Sequence, residues 1–150
     1  MIGLNKISEG GKMIENFGGI LNLMIWSIVM IGSGYYSYRC LFGTQGMIEQ
    51  YGVGDGAAYP LYLVGTFAGA GFIMSGVVLL AGPHGAWAFV TYSFVQSLLG
   101  TIFGYRILNS SWSRADGVKM TAEFWIAPLV FAVFFGFLLY NMQDILYASQ

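Results

Sequence analysis

His84 is the single histidine of a 150-residue chain in which only six Lys/Arg and seven Asp/Glu are scattered. A neutral imidazole can serve as an axial ligand to a haem or chlorophyll, or as a proton donor. It stands in Gly82-Pro83-His84-Gly85, a turn signature in which a solvated or backbone-bonded ring is the plain alternative. One histidine also cannot supply both axial ligands of a bis-His haem within a single chain. Gln96 and Asn22 are amides inside apolar runs. With no water at such depth they must bond a neighbouring helix, a quinone carbonyl or a lipid headgroup. Arg39 and Arg106 stand at the ends of apolar runs, where a long cation snorkels to the interface. Glu49 and Asp55, in a glycine-rich connection, are available to pair with either. No carboxylate falls inside an apolar run, so the ionisable group that proton-coupled transport uses has no candidate, and neither does a membrane-depth general acid or base. With one cysteine, Cys40, a thiolate metal cage and an intramolecular disulfide are both excluded. No catalytic residue and no metal ligand set is assigned.

The elements that position these residues are set by Gly56 to Tyr105, fifty residues with no Asp, Glu, Lys or Arg. At about 1.5 Å per helical residue against a hydrocarbon core of about 30 Å, this predicts two crossings joined by the turn at Gly82–Gly85. Apolar residues make up 57% of the chain and charged ones 9%, against about 25% charge in soluble domains. The expected fold is therefore all-α: one integral membrane domain over residues 1–150, four transmembrane helices in a compact bundle with a tight hairpin between the second and third. The spans are expected at about 17–38, 59–81, 86–107 and 122–142. Gly65, Gly69 and Gly76 in the second span, and Gly100 and Gly104 in the third, recur at the spacing that lets helices approach closely in lipid. These two seams face each other or the remaining helices. Gly32-Ser33-Gly34 makes a further notch in the first span, and Ser93, Ser97 and Thr101 make a polar stripe in the third. Pro128 either kinks the fourth span or marks its first turn.

Other features bound the partners. The net charge of −1 and the lack of a basic run exclude a nucleic-acid footprint. The segment Met1–Glu15 mixes charges with isoleucine and leucine and reads as a surface element broken at Gly10-Gly11. The first span is too long for the apolar region of a removable signal, so it is expected to be retained. Cys40, just past that span, reads as a juxtamembrane thiol, open in principle to acylation. Basic residues give opposite orientations depending on whether the first span's flanks or all the loops are counted. Aromatic residues, 17% of the chain, exceed what two interfacial belts need and supply flat surfaces for lipid, carotenoid, pigment tails or another subunit.

The run from Gly65 to Gly82, ending Gly76-Val77-Val78-Leu79-Leu80-Ala81-Gly82 after a loop containing Phe42-Gly43, resembles the second helix of the small four-helix DoxX-like membrane proteins. The resemblance implies a compact bundle and, for some members, a place as the membrane subunit of quinone-dependent oxidoreductases. No functional residue is carried over. The expected function is a small non-catalytic subunit that packs in and stabilises a larger membrane complex, with other integral membrane subunits and lipids as partners. The alternative is a binding or transfer protein for a quinone, pigment or lipid held near Gln96, and the third reading is a redox-linked enzyme subunit with His84 beside its cofactor.

Overall fold

The computed structural model describes residues 10–148 and is helical throughout apart from turns and short connections. Most of the expected surface segment over Met1–Glu15 lies outside the described residues. Residues 10–16 are helical, Gly10 and Gly11 included, and the break falls instead at Gly18 and Gly19, whose φ of 65° and 133° suit only glycine. Asn22 serves this break: its side-chain amide donates to the Phe17 carbonyl at 2.8 Å. The amide thus closes a local turn and does not bridge two long helices.

Four long helices and two short ones follow: α1 (Ile20–Phe42), α2 (Thr44–Tyr51), α3 (Ala58–Ala81), α4 (Trp87–Leu108), α5 (Glu123–Asn141) and α6 (Gln143–Leu146). All four long helices have the expected span length, but three segments combine length with apolarity enough to cross a membrane: Ile20–Phe42, Asp55–Ala81 and Glu123–Asn141. α4 falls short because Ser93, Gln96, Ser97 and Thr101 dilute its middle. α1 runs four residues beyond its expected end at Tyr38, which carries Arg39 and Cys40 into its last turn. Cys40 is completely buried beside Met47 and Tyr51 of α2, so the juxtamembrane thiol is not accessible in this fold to the acylation that its position left open.

The pairing of the helices differs from a simple hairpin. α3 lies along α1 and α4 along α5, α1 also touches α5, and α3 and α4 do not pack along each other despite the turn that joins them. The expected tight α3–α4 hairpin is therefore splayed, and the two glycine seams face different partners. On α3, a Cβ at Gly65 would stand 2.7 Å from the Cys40 Cβ, and one at Gly69 would stand 2.8 Å from the Ser37 hydroxyl oxygen. That hydroxyl uses the space to donate to the Gly65 carbonyl at 2.8 Å. On α4, Gly100 admits the Pro128 ring and Gly104 admits the Phe124 carbonyl. Pro128, inside α5, has no N–H to offer that carbonyl four residues earlier, so the freed acceptor lies against the glycine of the neighbouring helix. Gly76 meets nothing within 4 Å and takes no part in either seam.

Two cores close the ends. At the Gly82–Gly85 end, Phe17, Trp26, Val29, Val78, Val90, Phe135 and Leu138 form one cluster, in which the Trp26 indole donates to the Ser75 carbonyl at 3.0 Å. At the opposite end a smaller cluster of Cys40, Met47 and Tyr51 is braced by Leu61 and Phe124. The connection before α5 is fastened there, with the Lys119 amide donating to the Tyr51 carbonyl at 2.8 Å. Gly52 makes this crossing possible, since at φ 62° and against the Gly117 carbonyl it has no room for a side chain.

Candidate functional site

Between the two cores, α1/α3 and α4/α5 leave a cleft of about 550 Å³. This lies within the range of about 300–1,000 Å³ usual for small-molecule sites. The cleft extends along α5 from Phe135 to Glu123, a rise of about 18 Å at about 1.5 Å per residue. All four long helices line it, including α3 and α4, which do not pack along each other.

Three zones follow one another along the cleft. Phe89 and Phe135 form its closed end, continuous with the larger core. In the middle, the apolar walls of Phe67, Ala68 and Phe131 are interrupted by Ser33 of α1 and by Ser93, Gln96 and Ser97 of α4. The serines satisfy their own protons: Ser33 donates to the Val29 carbonyl at 2.9 Å, Ser93 to Phe89 at 2.9 Å and Ser97 to Ser93 at 2.8 Å. They are left with lone pairs only. Gln96 is solvent-accessible in the cleft, and among the described residues its amide has no hydrogen-bond partner. Its NH₂ group is therefore the mid-cleft donor.

The third zone is the mouth, where Arg39, Tyr36, Tyr51 and Glu123 converge. The Arg39 side chain is 21% exposed, donates to the Gln50 side-chain carbonyl and stands 3.7 Å from the Glu123 carboxylate. Glu123 occupies the first turn of α5, where the helix dipole favours an anion, and is itself 46% exposed. Tyr51 is buried with its ring 4.7 Å from that of Phe124. Burial pushes its phenol above the ordinary tyrosine range; the nearby Glu123 charge adds to this and Arg39 opposes it.

The residues singled out from the sequence are thus divided. Gln96 and Gly100 line the cleft with Arg39, while Gly65, Gly69 and Gly104 set helix separations beside it. Arg39 faces an ion pair instead of snorkelling outward, and its partner is Glu123, not Glu49 or Asp55. Arg106 lies on the exposed surface over the Phe103 ring at 5.8 Å. His84 is exposed in the turn at the far end and lines no part of the cleft, so it and Gln96 are not brought together as a cofactor pair. The roles of Glu123 and Tyr51 escaped the sequence reading. The available signal was topological: α1 ends and α5 begins on the same side of the bundle, which puts their terminal charges side by side. Among the described residues no cluster of His, Cys, Asp and Glu has the arrangement of a metal site. No protein-family model matches this chain, and neither the curated proteins nor the solved structures give a match.

Proposed function

We propose that the chain is a four-span integral membrane protein whose cleft binds a hydrophobic molecule with a polar, acceptor-bearing end, for storage or transfer. Lipid, quinone and pigment are the candidate classes. The observation that carries the reading is the coincidence of two features on α4: Ser93, Gln96 and Ser97, which dilute its apolarity, also line a cavity of about 550 Å³. Polar side chains at membrane depth are costly unless they meet partners, and a ligand acceptor at Gln96 supplies one. The unpaired α3–α4 side gives such a molecule access from the hydrocarbon without passage through water. The DoxX-like resemblance belongs to this proposal as an architectural hint, since it falls on α3, one wall of the cleft.

A second reading, a small non-catalytic subunit of a larger membrane complex, is favoured by Gly76. This helical glycine meets no atom within 4 Å and is flanked by the exposed Ile73 and Leu80, a surface suited to a partner helix. Purification from native membranes in mild detergent, with mass spectrometry of proteins and extracted small molecules, separates the two. Stoichiometric recovery of one hydrophobic species with a monodisperse chain supports the cleft. Comigration with a large assembly and an empty chain supports the subunit reading and counts against the first.

A further inference from the structure

Resting on the reading of the cleft as a ligand site, we infer that its occupant is a single-chain amphiphile with an anionic head, a carboxylate or phosphate monoester, held by Arg39. The mouth carries two opposite charges, and their burial is unequal. The Arg39 side chain is 21% exposed and the Glu123 side chain 46%. Glu123 is thus the more readily displaced partner, and Arg39 is the charge that stays in the cleft lining. The pair is also loose: at 3.7 Å it lies beyond the 2.7–2.9 Å of a charge-assisted hydrogen bond, and a guanidinium has donors left over after Gln50 takes one. Glu123 can turn to solvent while a ligand anion takes its place, so the exchange keeps Arg39 neutralised.

The dimensions fit one chain. The cleft descends about 18 Å from Glu123 to Phe135, slightly more than half of a hydrocarbon core of about 30 Å. Arg39 and Glu123 then take the head at one end of the bundle, and Phe89 and Phe135, packed on the core towards the Gly82–Gly85 turn, stop the tail. A volume of about 550 Å³ suits a molecule of drug-like size.

The test uses the full chain in phosphatidylcholine nanodiscs at pH 8, with radiolabelled hexadecanoate and hexadecanol as probes and hexadecyl phosphate as competitor. Wild type is expected to bind hexadecanoate at least tenfold more tightly than hexadecanol. Arg39→Gln should remove that preference while leaving hexadecanol binding within twofold. Glu123→Gln should hold or strengthen hexadecanoate binding, because the competing carboxylate is gone. Displacement by hexadecyl phosphate at lower concentration than by unlabelled hexadecanoate identifies the head as a phosphate, and the reverse order as a carboxylate. If Arg39→Gln loses both probes, Arg39→Lys decides: retained hexadecanoate binding supports the inference and lost binding overturns it. Equal binding of the two probes, unaltered in Arg39→Gln, overturns the anionic head and leaves the cleft standing. If wild type binds neither probe, the inference fails, and occupancy of the purified native chain decides the cleft separately.

Discussion

Gly104 and Gly76 are the same residue type with opposite surroundings, and the contrast makes the role of each measurable. A methyl at Gly104 meets the Phe124 carbonyl that Pro128 has deprived of its helical donor, and backbone there cannot swing aside as a side chain can. Gly104→Ala should therefore force α4 from α5 and lower stability by about 1–3 kcal/mol, the usual scale of overpacking. Gly76→Ala meets open space and should gain up to about 1 kcal/mol from helix propensity. Thermal unfolding in mild detergent reads both. Equal effects would mean that α4 and α5 do not approach at Gly104 as described. The glycine spacing alone was legible in the sequence but could not distinguish these positions, because a seam and an exposed notch are written with the same letter.

At the scale of elements, the arrangement depends on which helices pair. The lengths and order of the four long helices were readable from uncharged runs and turn residues, and their ends fall within a few residues of expectation except where α1 continues through Arg39 and Cys40. Partner choice was not readable. Gly82–Gly85 makes a turn but does not oblige the helices it joins to pack, and side-chain fit decided in favour of α1 with α3 and α4 with α5. α3 and α4 both reach the buried core near their turn, through Val78 and Val90, but no glycine seam joins them along their length. Spin labels replacing Leu63 and Leu99, both exposed, should give a broad distance distribution in the empty protein that narrows when hexadecanoate is added. A narrow distribution indifferent to ligand would contradict an open α3–α4 side.

Seen whole, the molecule is firm at both ends and open between them. Its aromatic content, which exceeds the need of interfacial belts, goes partly to the Trp26 core, partly to the exposed faces and partly to the cleft walls. His84 drew notice as the only histidine, yet it stands exposed at the far end from the Arg39–Glu123 mouth. Gln96, one amide among many polar residues, became informative once α1, α3 and α5 surrounded it with a cavity. The central claim is that this cavity is occupied in use, and Gly71 offers the most direct test. It lines the cleft, is helical and meets nothing within 4 Å, so a large side chain can enter the cavity without disturbing the backbone. The decisive measurement is the amount of hydrophobic small molecule extracted per chain from native-membrane preparations of wild type and Gly71→Trp. One molecule per wild-type chain, and a loss of at least tenfold in a Gly71→Trp protein with an unchanged melting temperature, is the expected result. Equal recovery from both proteins, or none from wild type, would contradict the cleft as the working part of this protein.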